Sequence, residues 1–163
     1  MKKTKNILSY VLIIGIAILI KLYVFSPVRV NGTSMVPTLQ EGDIMFLNEI
    51  GYHINGVERF DIVVININNE RIIKRVIGLP GETVEYKYNK LYINDTMIPE
   101  RFEHKDTDDF KLEDKIPDDY YFVVGDNRGN SKDSRSIGLI HKNKIMGKTN
   151  FVLYPFNKIG NVR

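Results

Sequence analysis

The chain has 163 residues, 43% of them hydrophobic and 26% charged, which is typical of one folded domain and not of a disordered chain. Its formal net charge is +3, but residues 1–26 hold four lysines and no acid, so residues 27–163 carry 19 basic and 20 acidic residues. That near-neutral balance removes the electrostatic support for nucleic-acid binding. The sequence contains no cysteine, which excludes disulfides and thiolate chemistry, and its three histidines lack ligand-like spacing. We therefore predict no metal site and no cofactor.

The first element along the chain is an apolar run from residue 7 to residue 25, interrupted only by Ser9 and Lys21. Its length suits one crossing of a bilayer if Lys21 extends to the interface. Three lysines precede it, which predicts a cytoplasmic N-terminus with the remainder of the chain outside. A cleavable secretory signal is the alternative, but no Ala-x-Ala-like site follows the run. We therefore predict an uncleaved anchor over residues 1–26, in the plasma membrane, and a separate domain over residues 27–163.

The remainder of the chain has the pattern of β-strands and lacks any long stretch with helical periodicity. Turn residues such as Asn68-Asn69, Pro80-Gly81 and Asn94-Asp95 separate the segments. The short, hairpin-like spacings predict an all-β, antiparallel domain. The predicted strands cover residues 43–48, 61–67, 71–77, 82–87, 90–94, 120–124 and 145–154.

Residues 103–119 form an acid-rich stretch with eight carboxylates and three lysines. Oxygen ligands at this density are compatible with a calcium site. Charge runs are more often solvated, so the prediction for this stretch is a solvated loop.

Lys74 lies within the predicted strand 71–77. Since side chains alternate along a strand, Ile72, Lys74 and Val76 should share one face, with Ile73 and Arg75 on the other. Such a lysine can be an edge residue whose stem packs on its neighbours, or a buried and deprotonated base. An exposed lysine is neutral only about 0.1% of the time near pH 7.5, so a base here requires a lowered pKa, which an apolar face and the nearby Arg75 would favour.

Two turn-rich segments hold the other candidates for chemistry. Ser34 lies in residues 31–39, NGTSMVPTL, and by itself is an ordinary turn serine that needs a base to act as a nucleophile. Residues 125–135, GDNRGNSKDSR, follow the apolar strand 120–124 and concentrate hydrogen-bonding groups. A polar loop directly after a buried strand is a candidate scaffold for a site.

Taken together, these segments resemble the type I signal peptidases. That family shares a Ser-Met-x-Pro-Thr-Leu segment, then Gly-Asp, then Lys-Arg-x-x-Gly-x-Pro-Gly, then Gly-Asp-Asn-x-x-x-Ser-x-Asp-Ser-Arg. The chain has all four in this order, beginning at Ser34, Gly42, Lys74 and Gly125. The anchor precedes them, so the resemblance spans nearly the whole chain.

The resemblance implies a serine endopeptidase that removes signal peptides from exported precursors, with Ser34 as nucleophile and Lys74 as general base. By the same similarity Ser131 orients the lysine ammonium. Asp133, Arg135 and Arg75 correspond to the polar network that supports the site. The implied partners are the signal peptides of secreted precursors, membrane lipid and the protein export machinery.

Two departures place the chain in the Gram-positive branch of that family. Gly32 stands where two-anchor Gram-negative members carry a serine, so the Ser34 N–H is retained as an oxyanion donor while a second donor is unassigned. The short span between Gly81 and Tyr120 leaves no room for the large extra β-domain of the Gram-negative enzymes. By analogy the substrate adds as a strand, with small side chains in apolar pockets lined by Val28, Val30, Met35, Leu39, Ile72 and Ile73.

Two other functions compete with this one. The self-cleaving repressors also pair serine with lysine on a similar β-fold, but they are cytosolic and carry a DNA-binding region, which the anchor and the near-neutral domain argue against. A catalytically silent, membrane-tethered β-module that only binds exported proteins is the second. The presence of both Ser34 and Lys74 argues against it.

Overall fold

The computed structural model describes residues 9–15 and 26–162. Residues 9–15 are helical and form α1. The predicted anchor, residues 7–25, otherwise lies outside the described ranges, and no helix within those ranges is long and apolar enough to cross a membrane.

The described part of residues 27–163 is built on two antiparallel sheets. The strands are β1 Ser26–Arg29, β2 Ile44–Asn48, β3 Ile62–Ile67, β4 Glu70–Gly78, β5 Val84–Lys87, β6 Lys90–Ile93, β7 Thr96–Ile98, β8 Phe110–Lys111, β9 Tyr120–Val124, β10 Ile140–His141, β11 Ile145–Tyr154 and β12 Gly160–Asn161. The larger sheet has the order β1-β2-β11-β3-β4-β9-β10, with β12 paired to β11, and the smaller has the order β7-β6-β5-β8. All strand pairs among the described residues are antiparallel, as the hairpin-like spacings predicted.

Short helices complete the chain: α2 Glu49–Asn55, α3 Ser134–Ile137 and three single 3₁₀ turns at Arg128–Asn130, Lys142–Lys144 and Phe156–Lys158. The two α-helices were not predicted, because seven and four residues are too few to show a helical repeat. Each begins at a capping side chain: Asn48 accepts from the Gly51 N–H, and Asp133 accepts from the Arg135 N–H.

The core is divided among three buried clusters, and strands β3 and β4 contribute to more than one. Ile73 packs with β1, β2 and the segment around Met35, whereas Ile72 and Val76 pack on the opposite face with Val63 and Val123. Side chains therefore alternate along β4 as predicted. Because this strand is covered on both faces, a polar side chain within it is removed from water.

The acid-rich stretch 103–119 is only partly the solvated loop that we predicted. Phe110 and Lys111 pair with β5, and Ile116 is 1% exposed in the cluster under the smaller sheet. Thr107 is also buried and bonded to Arg128. The prediction failed because the apolar residues that anchor this segment are isolated among charges and form no periodic pattern.

Candidate active site

Lys74 and Ser34, separated by 40 residues in sequence, meet at the middle of β4. The Lys74 Nζ lies 2.6 Å from the Ser34 Oγ, within hydrogen-bonding distance. Lys74 is directly opposite Val63 on β3 and is only 3% exposed. Its neighbours on the same face, Ile72 and Val76, belong to an apolar cluster. Strand β4 thus places the Lys74 amine beside the Ser34 hydroxyl, with apolar side chains packed around the lysine stem.

Burial lowers the pKa of Lys74 from 10.5 to about 8, while the nearby carboxylates of Asp133 and Asp126 oppose this shift. Removal from water disfavours the ammonium form, and the two negative charges partly restore it. At pH 7.5 a lysine with this pKa is neutral about a quarter of the time, roughly two hundred times more often than an exposed one. This arrangement provides a usable base near neutral pH.

The segment that carries Ser34 is held by residues of the loop 125–135. The Asn127 N–H donates to the Ser34 carbonyl at 2.9 Å, and the Asn127 side chain donates to the Thr33 carbonyl at 3.1 Å. A side chain at Gly125 would place its Cβ 2.4 Å from the Ser34 carbonyl oxygen and 2.3 Å from the Ser131 Oγ. Only glycine allows this approach, so the glycine sets how closely the loop and the nucleophile pack.

Ser131 lies beside Gly125 and Asp133, next to the segment that carries Ser34. In the part of the chain that the structure describes, the hydrogen-bond partner of the Lys74 ammonium is Ser34, and no bond joins it to Ser131. The buried Ser131 hydroxyl lies beside the Asp133 carboxylate, where it helps to lower the pKa of that carboxyl, although it does not reach full hydrogen-bond geometry. Its role at the lysine stays a prediction.

The supporting charges form two separate pairs instead of the one network that we predicted. Asp133 accepts from the Arg135 guanidinium at 2.9 and 2.8 Å and from the Gly125 N–H at 3.0 Å. Burial alone raises the pKa of Asp133, but these bonds outweigh it and hold the pKa below its ordinary value. These bonds fix the start of α3 and hold it to Gly125, the residue that follows β9.

Arg75 pairs with a residue that the sequence analysis did not single out. Its guanidinium makes a bidentate contact with Asp126, at 2.9 and 2.7 Å, and both side chains are at most 1% exposed. Arg75 also stacks on Phe102, with 3.9 Å from its Cζ to the ring centre. The expected contribution of Arg75 to the lowered pKa of Lys74 stays a prediction; burial is the largest cause of that shift, and the Arg75 guanidinium is paired with Asp126.

Asp126 also accepts from the Thr38 hydroxyl at 2.5 Å, so through Arg75 and Thr38 it connects strand β4 to the segment that carries Ser34. Arg128 extends the polar interior toward the smaller sheet through Glu100 and Thr107. Asp126 and Arg128 both belong to the loop motif 125–135, so the sequence shows these residues. It does not show their partners, which are far away in sequence.

The six predicted pocket residues divide into two groups. Five of them, at most 6% exposed, share one packed cluster: Val28, Val30, Met35, Leu39 and Ile73. Ile72 packs in a different cluster and borders an open cavity of about 600 Å³ that also includes Tyr120, Lys132 and His141. Neither Ser34 nor Lys74 lines this cavity, although Ile72 is two residues from Lys74 in sequence. A substrate role for all six stays a prediction.

The fold and the site define an antiparallel β-domain in which a serine hydroxyl meets a buried lysine. The family model described as "Signal peptidase, peptidase S26" matches residues 3–154. Signal peptidase I S of Bacillus subtilis strain 168 is 42% identical over 175 residues, covering 96% of this chain and 94% of its own. Signal peptidase IB of Staphylococcus aureus strain COL is 37% identical over 177 residues, covering 94% and 93%.

A solved structure agrees with these sequence matches. The crystal structure of a signal peptidase I from Enterococcus faecalis V583 matches with a TM-score of 0.51 and 38% identity, covering 56% of this chain and 95% of that one. The chain belongs to the type I signal peptidase family, in its Gram-positive form, and is a peptidase that cleaves signal peptides. The resemblance stated from its motifs is confirmed.

Proposed function

We propose that the chain cleaves signal peptides with Ser34 as nucleophile and neutral Lys74 as general base. The observation that carries this proposal is the 2.6 Å contact between the Lys74 Nζ and the Ser34 Oγ, made by a lysine whose pKa is lowered to about 8. A nucleophile and base at this distance, with the base largely removed from water, meet the requirements for serine activation.

In the proposed reaction, the Ser34 Oγ attacks the carbonyl carbon of the scissile peptide bond while Lys74 takes the hydroxyl proton. Collapse of the tetrahedral intermediate breaks the C–N bond, and Lys74 returns the proton to the departing amine of the mature protein. Lys74 then takes a proton from the water that attacks the acyl ester and returns it to the Ser34 Oγ as the ester C–O bond breaks; the signal peptide leaves as a carboxylic acid, which ionises in water.

The negatively charged oxygen of the tetrahedral intermediate needs a hydrogen-bond donor, and the Ser34 N–H is available for this role. Among the described residues it donates to no protein acceptor, and residue 34 is only half-buried. Gly32 has a φ of +78°, so the segment before the nucleophile turns sharply without a side chain. We assign the Ser34 N–H as one oxyanion donor.

Cleavage of a synthetic precursor by the purified chain tests the assignment. Ser34→Ala and Lys74→Ala should each remove nearly all turnover, and the double variant should lose no more, because the two groups act as a unit. Thr96→Ala and Lys90→Ala are matched controls at exposed positions on the smaller sheet and should retain activity. Turnover above about a tenth of the unmodified level in Lys74→Ala would assign the base to another group.

We further propose that residues 1–26 anchor the chain in the plasma membrane with the β-domain outside, as the lysines before the apolar run predict. In this arrangement the chain contacts membrane lipid and works beside the export machinery. Precursors reach it while their own apolar segments lie in the same bilayer. β1 begins at Ser26 and pairs at once with β2, so little free chain separates the apolar run from the sheet.

A flexible linker inserted before Ser26 tests whether this short connection matters. It should lower cleavage of membrane-inserted precursors and leave cleavage of short soluble peptides unchanged, because positioning at the bilayer is lost while the site is intact. Equal cleavage of both substrates by the linker variant and the unmodified chain would show that the segment serves only for retention.

A further inference from the structure

The two peptide units on either side of the nucleophile are held by one residue of the loop that follows β9. The Asn127 side chain donates to the Thr33 carbonyl at 3.1 Å, and the Asn127 backbone N–H donates to the Ser34 carbonyl at 2.9 Å. Asn127 lies 94 residues from Thr33 in sequence, so the fold alone brings them together. These bonds act on the backbone of the nucleophile and leave its hydroxyl free to meet Lys74.

The Thr33 carbonyl and the Ser34 N–H belong to the same peptide unit. That unit is trans, since the cis bonds among the described residues precede Pro37 and Pro155. A trans peptide unit is planar, with its C=O and N–H pointing in opposite directions. Any donor that fixes the direction of the Thr33 carbonyl therefore also fixes the direction of the Ser34 N–H.

The Thr33 carbonyl accepts a second bond, from the Val36 N–H at 3.2 Å, which closes the turn around the nucleophile. A carbonyl oxygen has two lone pairs, so the two donors together satisfy it and restrict rotation of the peptide plane. Hydrogen bonds in a chain also polarise one another, so a donor on this carbonyl makes the Ser34 N–H a stronger donor. The Asn127 side chain thus acts on both the direction and the strength of that N–H, which points away from Asn127.

A second asparagine binds the same residue without touching this peptide unit. The Asn130 side chain donates to the Thr33 hydroxyl, also at 3.1 Å. The two bonds share the donor group and the distance, and both are exposed, where one hydrogen bond adds little to the stability of the fold. They differ in whether the acceptor is the carbonyl of the peptide unit that carries the Ser34 N–H.

We propose that Asn127 is a positioning residue for the oxyanion hole, whose side-chain amide holds the Ser34 N–H toward the negative oxygen of the tetrahedral intermediate. This inference rests on the proposed assignment of Ser34 as the nucleophile. Charge on that oxygen develops only as the transition state forms, so loss of the Asn127 bond lowers kcat and leaves KM unchanged. Removing an oxyanion donor outright lowers kcat by about 100- to 1,000-fold, and removing a group that only orients the donor should lower it by about tenfold.

The test compares Asn127→Ala with its matched control Asn130→Ala in the full-length chain, using a short soluble precursor peptide. Asn127→Ala removes the bond to the Thr33 carbonyl and keeps the backbone bond to Ser34. We expect kcat to fall about tenfold in Asn127→Ala with KM unchanged, and both constants to stay within about twofold in Asn130→Ala. Asn127→Asp keeps the shape of the side chain and removes the donor, so its kcat should fall at least as far. Thermal unfolding checks that all three variants are folded.

A peptide aldehyde with the sequence of the signal-peptide side of the substrate gives a second readout. The Ser34 Oγ adds to the aldehyde carbon, the hydroxyl proton passes to Lys74, and the aldehyde oxygen takes the position of the oxyanion. Its inhibition constant should rise about tenfold in Asn127→Ala and stay unchanged in Asn130→Ala. A role in the fold alone would not weaken this adduct while leaving KM unchanged.

An unchanged kcat in Asn127→Ala would overturn the proposal, and so would an undiminished kcat in Asn127→Asp or a loss that appears in KM instead of kcat. Ser34→Ala, measured in parallel, separates this inference from the proposed function. If Ser34→Ala still cleaves the peptide, the nucleophile is another group and the proposed function fails. If Ser34→Ala is inactive while Asn127→Ala retains its full kcat, only this inference fails.

Discussion

Replacing Lys74 by methionine should abolish catalysis and at the same time make the folded protein more stable near pH 7. Methionine has a similar length and no charge, so it can occupy the apolar wall formed by Val63, Ile72 and Val76 without desolvating an ammonium group. The folded chain at neutral pH bears the cost of holding a lysine whose charged form is disfavoured.

The size of this cost follows from the pKa. A fall from 10.5 to about 8 corresponds to about 3 kcal/mol of differential stabilisation between the two protonation states. The hydrogen bond to Ser34 offsets about 1 kcal/mol of that cost, because methionine does not make it. Lys74→Met should therefore be about 2 kcal/mol more stable than the unmodified chain at pH 7.

The sign depends on pH in a defined way. The unfolded chain binds a proton at Lys74 up to about pH 10.5, whereas the folded chain releases it near pH 8, so the stability of the unmodified chain rises between these values. The advantage of Lys74→Met should shrink across that interval. Denaturant unfolding followed by circular dichroism at pH 7, 8 and 9.5 measures it. A variant that is less stable at pH 7, with a difference that does not change with pH, would refute the burial argument.

Two other substitutions test the scaffold. Gly125→Ala should lower stability by about 1–3 kcal/mol and remove most of the activity, because its Cβ would clash with the Ser34 carbonyl. Thermal unfolding measures the stability and peptide turnover measures the activity. An active variant of unchanged stability would contradict this packing. Asp126→Asn should lower the free energy of unfolding by about 3–5 kcal/mol, because it leaves the buried Arg75 charge uncompensated. Asp119→Asn, at the exposed pair with Lys142, is the control and should change the unfolding temperature little. Equal effects of the two substitutions would contradict the role of the buried pair.

The longer strands of both sheets were predictable from local sequence. All seven predicted strands are present with ends within two residues, because they are rich in β-branched and aromatic residues and turn residues bound them. The turns at Asn68-Asn69 and Asn94-Asp95 have positive φ at both residues, which is the conformation that these residue types favour in tight hairpins.

The missing elements lack such local patterns. Strands β7, β8, β10 and β12 have two or three residues, and they are strands only because a partner lies beside them. Strand β1 follows the apolar run directly, so its alternation is too short to separate from that run. The division into two sheets depends on pairing between distant segments, which no local pattern specifies.

The candidate site was predicted in its residues but not in its contacts. Ser34 and Lys74 could be paired before the structure only through the family resemblance, because each alone is an ordinary turn or strand residue. The pairing of Arg75 with Asp126, 51 residues away, required the sheet register that brings β4 beside β9. The resemblance identified the participants, and the fold determined which of them meet.

The pH dependence of kcat/KM for a short soluble precursor peptide tests the central claim most directly. If Lys74 must be neutral in the free enzyme, kcat/KM should rise with pH through an apparent pKa near 8, and the same profile should appear when His53, His104 and His141 are all replaced. A profile centred near the ordinary lysine value, or one that collapses on removal of the histidines, would contradict the assignment of Lys74 as the base.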